Sequence, residues 1–213
     1  MADYTKLVQV IQQGNVSETQ NQVKILLDQG ESPKEIIQNG IIVPLNIVGK
    51  MFSAGQCFIP EMLIAARASQ KGLDILRPLF TEKGFQFIGK VVIGTVKGDL
   101  HDIGKNIVSM MLESAGFEVT DLGVDVFPEK FIEAINTSNP EILALSCLLT
   151  TTMESMSLTL AELEEAGIRD NIKVIIGGPP VNHEFAKKIG ADFYGEDAYK
   201  GVEIARKIVA RSM

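Results

Sequence analysis

From Lys90 to the C-terminus the chain repeats one pattern: a short apolar run, a polar loop, then an amphipathic stretch. The runs fall at about 90–96, 117–122, 141–146, 173–177 and 191–194, and the amphipathic stretches near 104–115, 128–137, 152–166, 181–189 and 197–211. Runs such as Val91-Val92-Ile93 and Val174-Ile175-Ile176 carry no polar alternation, so they predict strands covered on both faces. Strands separated by helices must pair in parallel, and right-handed crossovers then place helices on both sides of one sheet.

Five strands with this regularity predict an α/β, doubly wound, Rossmann-like sheet of the flavodoxin-like order 2-1-3-4-5, with a switch point between its first and third strands. Ligands of such sheets bind outside the carboxyl ends of the strands. Three loops are expected there: Lys97 to Gly104, Ser146 to Thr152, and Gly177-Gly178-Pro179-Pro180. Strand direction alone brings them to one edge.

The first of these loops holds Gly98, Asp99, one of only two histidines (His101), Asp102, Ile103 and Gly104. Asp99 and His101 stand two residues apart, which lets a carboxylate reach the imidazole, fix its tautomer and raise its basicity. A loop histidine hydrogen-bonded to a nearby acid, with no ligand, has the same spacing. Gly98 and Gly104 leave room for a bulky group to approach the backbone. In the second loop, Ser146, Thr150 and Thr152 offer hydroxyls beside Leu148; one of them can equally serve as a helix cap. Gly177-Gly178 permits close approach of a ligand or simply a tight turn. His183 reads as a surface or capping histidine in the first turn of a helix.

Residues 1–85 contain no convincing strand and predict a bundle of about four helices, with 86–213 as the α/β domain. Ser17 to Gln20 has the pattern of a capping box, and Ser32-Pro33-Lys34-Glu35 has serine at an N-cap and proline at the first helical position. Pro44 is expected to bend or restart a helix and Pro60 to open the last one. A linker is expected at about 81–89, with Pro78 near the end of that helix and Thr81-Glu82-Lys83-Gly84 as a turn. It is the natural place for a hinge. Phe52, Phe58 and Met62 crowd large, soft side chains around Gly55, more than a minimal bundle requires.

Net charge is −7, which argues against a nucleic-acid surface. No apolar run approaches the roughly 20 residues that span a bilayer. The N-terminal residues lack the basic-then-apolar layout of a signal peptide, and the two cysteines, Cys57 and Cys147, read as free buried thiols. A cytoplasmic protein without membrane attachment is expected.

Asp99-x-His101-x-x-Gly104, then Ser146-x-Leu148, then Gly177-Gly178 resembles the signature of cobalamin-binding domains of the methionine synthase and methylmalonyl-CoA mutase type. The stretch from Met51 to Leu63 resembles the helical cap that precedes such domains in methionine synthase and in corrinoid proteins of methanogens and acetogens. The resemblance covers nearly the whole chain and is nearest to small corrinoid proteins serving methylamines, methanol, methoxylated aromatics or betaines. It implies a cobalamin or related corrinoid (as methylcobalamin or hydroxocobalamin), with His101 as lower axial ligand of cobalt in the base-off/His-on state. It places Gly98, Asp99, Asp102, Ile103, Gly104, Ser146, Leu148, Thr150, Thr152, Gly177 and Gly178 against the cofactor, and Phe52, Phe58 and Met62 over its upper face. Thr152 stands where relatives carry a serine that hydrogen-bonds the aspartate, extending a relay through Asp99 to His101.

The implied function is a methyl carrier cycling between cobalt(I) and methyl-cobalt(III), a subunit of a methyltransferase system rather than a complete enzyme. Its implied partners are a substrate-specific methyltransferase, a second methyltransferase passing the methyl group to coenzyme M or tetrahydrofolate, and a reductive activator. Two other readings share the cofactor. A cobalamin-dependent sensor has the same cap but usually adds a DNA-binding or signalling domain; the small subunit of a carbon-skeleton mutase lacks the cap. A cofactor-free receiver-like domain would need acidic residues after the first strand, but not His101.

Overall fold

A computed structural model describes residues 3–83 and 87–212. The chain divides into two compact units, Met1–Phe87 with Met110–Gly116, and Ile88–Ser109 with Phe117–Met213.

The first unit is helical. Helix α1 (Thr5–Gln12) and helix α2 (Val16–Asp28) are followed by a single turn, α3 (Pro33–Glu35), which runs through a π-helical segment (Ile36–Ile41) into α4 (Ile42–Ser53). The long helix α5 (Ile59–Lys83) closes the bundle. Leu7, Ile11, Val23, Ile36, Ile41 and Leu76 form the heart of its core. Ser32 caps α3 as expected, its hydroxyl accepting from the Glu35 N–H. The cap of α2 is Asn15 rather than Ser17: the Asn15 carboxamide accepts from the Glu18 N–H, and Ser17 lies inside the helix. The restart also comes before Pro44. Proline cannot donate to the carbonyl of Gly40, and the preceding turn widens into the π segment while Ile36, Ile37 and Ile41 remain buried.

The turn expected at Thr81–Lys83 is helical, and Pro78 lies within α5. Gly84, the last residue of that turn, falls outside the described residues. The segment Pro33–Ser53 is one continuous helical run of 21 residues, long and apolar enough to cross a membrane by length and composition alone. The expectation concerned unbroken apolar runs, and Gln38, Asn39 and Asn46 interrupt this one. Core helices of soluble proteins pass the same test.

The second unit is the doubly wound sheet, read correctly from the sequence in both strand number and order. Strands β1 (Lys90–Thr95), β2 (Glu118–Asp121), β3 (Ile142–Ser146), β4 (Lys173–Gly177) and β5 (Phe193–Gly195) pair in parallel in the order β2-β1-β3-β4-β5. Between and after them run α6 (Ile103–Ser114, of which the residues from Met110 are grouped with the first unit), α7 (Pro128–Ser138), α8 (Met153–Glu165), α9 (His183–Ile189) and α10 (Ala198–Ser212). The three central strands are buried almost throughout, whereas the edge strands β2 and β5 are only partly covered. This explains the uninterrupted apolar runs of the centre and the weaker, shorter signal at β5.

Register fixes the location of the site. Thr95 pairs with Ser146, Ser146 with Gly177, and Gly177 with Gly195, so four strands end on one line. The loops that follow them leave from the same edge.

Candidate functional site

Asp99 sits at the centre of this edge, with no exposed surface. Its Oδ1 accepts from the His101 N–H at 3.0 Å and from the imidazole Nδ1 at 2.7 Å. Its Oδ2 accepts from the Leu148 N–H at 2.7 Å and the Thr152 hydroxyl at 2.8 Å, with the Leu149 N–H at 3.4 Å. Burial alone would raise the Asp99 pKa. The donors from Leu148, His101 and Thr152 overcome it and hold the carboxyl well below the usual carboxylate range. The group is therefore an anion at neutral pH and can only accept. It follows that Nδ1 of His101 carries the proton and Nε2 carries the lone pair. The ring is half-exposed while its partner is fully buried: a nitrogen lone pair is held at the surface by a charge hidden beneath it.

The loop carrying this pair begins with Gly98 at φ +83°, which turns the chain so that Asp99 points inward. The Asp99 N–H donates to the Val96 carbonyl, and the Thr95 hydroxyl donates to the His101 carbonyl. Asp102 accepts from the Asn106 carboxamide one turn into α6. Ile103 and Gly104 are the first two residues of that helix. A methyl group added at Gly104 would meet nothing within 4 Å. The opposite holds at Gly178, with φ +122°, where an added Cβ would lie 1.8 Å from the Cys147 carbonyl oxygen. Gly178 is thus required by the close passage of the β3 and β4 loops, whatever binds nearby.

Leu100, Ile103, Leu148 and Leu149 are exposed along this edge, an apolar border around a single imidazole. Thr150 is exposed, Ser146 half-buried and Thr152 buried against Asp99. The Thr152 hydroxyl also lies 2.9 Å from the Leu149 carbonyl, so one proton serves two acceptors. The Cys147 thiol is pushed up to about 11 by burial and by the Asp99 charge, opposed by a hydrogen bond from Thr152, and stays protonated. Both cysteines are free and buried, as the sequence indicated.

The residues expected from the second unit therefore converge. Phe52, Phe58 and Met62 belong to the first: Phe52 is half-buried, Phe58 is 70% exposed and Met62 is 3% exposed, packed as a core residue. His183 is the first residue of α9, its ring packed edge-on against Tyr194 at 5.0 Å, while Asn182 does the capping.

Two groups at the site lie outside the sequence expectations. Asp125 adopts a left-handed backbone (φ +53°); its Oδ1 accepts from the Gly98 N–H at 2.7 Å, and its N–H donates to the Asp99 carbonyl at 3.0 Å. Lys105 is buried and paired with Asp121 at the end of β2. An alternation of charge and apolar residue such as Val124-Asp125-Val126 gives no local signal. A lysine on a helix's inward face, four residues after His101, could have been noticed.

Among the described residues no three His, Cys, Asp or Glu side chains gather to hold a bare metal ion. One imidazole with an open, apolar border instead fits a metal that brings its own macrocyclic ligands and needs one axial donor.

Comparison with known proteins agrees. Residues 89–203 match the B12 binding domain family, and residues 4–77 match a second family described as a B12 binding domain. A trimethylamine corrinoid protein of Methanosarcina mazei is 42% identical over 187 residues, covering 85% of this chain and 86% of the relative. The crystal structure of a cobalamin-binding protein from Desulfitobacterium hafniense superposes with a TM-score of 0.82 at 34% identity, covering 98% of this chain and 99% of the other. The methanol:cobalamin methyltransferase complex MtaBC of Methanosarcina barkeri gives 0.84 at 29% identity, covering 97% of this chain and 79% of the matched one. The fold, the lone presented imidazole and these matches together place the chain in the B12-binding corrinoid protein family.

Proposed function

We propose that this protein is a methyl-group carrier of a methylamine-utilising methyltransferase system, with His101 as the axial ligand of its corrinoid. The observation that carries the reading is the Asp99–His101 pair: a buried acceptor, ionised at neutral pH, that keeps Nδ1 protonated and Nε2 free. When bound, the corrinoid supplies a cobalt centre able to accept and surrender a methyl group; the protein supplies ligation and access. Asp99 orients the imidazole and increases its donor strength through Nδ1. Thr152 and the Leu148 N–H keep Asp99 ionised from the opposite side. Gly98, Asp102, Ile103, Gly104, Ser146, Leu148, Thr150, Gly177 and Gly178 are assigned to the cofactor's lower face and tail. Phe52 and Phe58 are assigned to its cover, whereas Met62 is buried as a core residue of the first unit.

Methylamines are favoured over methanol as the donor class, because identity to the trimethylamine corrinoid protein is 42% against 29% to the MtaBC match. The partners are then a methylamine-specific methyltransferase, a second methyltransferase delivering to coenzyme M or tetrahydrofolate, and a reductive activator. A cytoplasmic location is part of the same proposal. The test is to load the protein with corrinoid, reduce it, and incubate it with radiolabelled trimethylamine or methanol and the matching methyltransferase. Label retained on the protein from trimethylamine, and discharged by coenzyme M with the second methyltransferase, is the expected result. Retention from neither donor would refute the carrier reading.

A further inference from the structure

The loop that presents His101 is held at both ends by one other segment, from the last residue of β2 to the start of α7. At its start Val126 runs parallel to Val96 as an isolated bridge, and the Val126 N–H donates to the Thr95 carbonyl. Lys97 sets its ammonium 4.4 Å from the centroid of the Phe127 ring. Asp125 grips the Gly98–Asp99 stretch twice, through its carboxylate to the Gly98 N–H and its own N–H to the Asp99 carbonyl. At the far end of the loop, Asp121 receives the buried ammonium of Lys105, which also donates to Asn106 Oδ1 at 2.6 Å. Asn106 in turn donates to Asp102, next to His101.

Burying a lysine ammonium costs its hydration, which a partly exposed partner such as Asp121 only offsets, and a non-glycine residue at positive φ is strained. Both are found here at the two attachment points of one short loop. Neither is explained by the core: the Asp125 side chain is exposed, and its hydrogen bond goes to the loop alone. We infer that residues 121–127 form a clamp that fixes the His101 loop, with Asp125 its principal positioning residue, so that the strength of imidazole ligation is set from β2. The inference rests on the reading of His101 as the axial ligand and deepens it.

The test uses the full chain and three variants. Asp125→Gly removes the acceptor while relaxing the left-handed backbone; Asp125→Asn keeps an acceptor oxygen and tolerates that backbone. A role confined to backbone conformation would be satisfied by glycine. In the apoprotein, hydrogen exchange of the amides of residues 97–101 is expected to quicken at least tenfold in Asp125→Gly and to stay within twofold in Asp125→Asn. In protein loaded with hydroxocobalamin, the part of the absorption spectrum that His101→Ala abolishes is expected to fall by at least half in Asp125→Gly and to persist in Asp125→Asn. Unchanged exchange in Asp125→Gly, or faster exchange with an unchanged spectrum, overturns the clamp. A wild-type spectrum indifferent to His101→Ala would show instead that the underlying ligand reading is wrong, whatever the exchange rates.

Discussion

Replacing Asp99 by asparagine tests the electrostatics of the site at one atom. The carboxylate is fully buried and satisfies two good donors on each oxygen. A carboxamide has one acceptor oxygen and one donor group, so two of the four donors lose their acceptor. If the oxygen faces His101, the amide group faces Thr152 and Leu148. Thr152 can adapt by turning its proton to the Leu149 carbonyl, already 2.9 Å away. The Leu148 N–H cannot, and a buried unsatisfied donor costs about 1–3 kcal/mol. If the amide group faces His101 instead, the imidazole must change tautomer and place its proton on Nε2, which removes the ligand lone pair.

Denaturant unfolding of apoprotein at pH 7 should therefore show Asp99→Asn less stable by about 1–3 kcal/mol. Loss of the oriented partner should weaken His101 ligation about 10–100-fold. The pH dependence gives an independent sign. The native carboxyl is held below its ordinary value of 3.8, so its stabilising contribution is complete above that value and is lost as pH falls through the folded pKa. The gap between wild type and variant should be constant near neutrality and shrink below about pH 4. Equal stabilities at pH 7, with parallel acid transitions, would refute the argument.

Other expectations follow from glycine contacts, exposure and thiol burial. Gly178→Ala should cost about 3 kcal/mol or more, from the Cys147 clash and the positive φ. Gly104→Ala, in open space within α6, should leave apoprotein unchanged or up to about 1 kcal/mol more stable, yet weaken corrinoid retention; calorimetry and equilibrium dialysis separate the two. Met62→Ala should cost about 2–5 kcal/mol, whereas Phe58→Ala should stay within about 0.5 kcal/mol and hasten oxidation of the reduced corrinoid in air. Cys147, buried with its thiol pushed up to about 11, should resist iodoacetamide at pH 8 in native protein and react at once after unfolding.

Strand order and the position of the site were legible because they follow from long-range rules with few exceptions: parallel strands, right-handed crossovers and ligands at the carboxyl edge. Asp99 and His101 were legible because their pairing is local. What escaped depends on competition or on distance. Asn15 with Glu18 and Ser17 with Gln20 both have capping-box spacing, and the sequence alone does not rank them; the helix starts at Val16 with Asn15 as its cap. Pro78 does lie near the end of α5, but the turn expected at Thr81–Lys83 is still helical, because a proline removes only one helix hydrogen bond and buried Leu73 and Leu76 anchor the turn before it. Asp125 lies 26 residues from Asp99, and its backbone hydrogen bonds exist only once β1 and β2 are aligned. No pattern within either segment encodes that contact.

The account stands on one bond, from His101 to the cofactor metal. Absorption spectra of wild-type protein and His101→Ala, each reconstituted with hydroxocobalamin, test it most directly. The account predicts that both variants bind corrinoid but differ in spectrum, the wild type showing imidazole ligation and the variant losing it. Identical spectra, or no retention of corrinoid by the wild type, would contradict it.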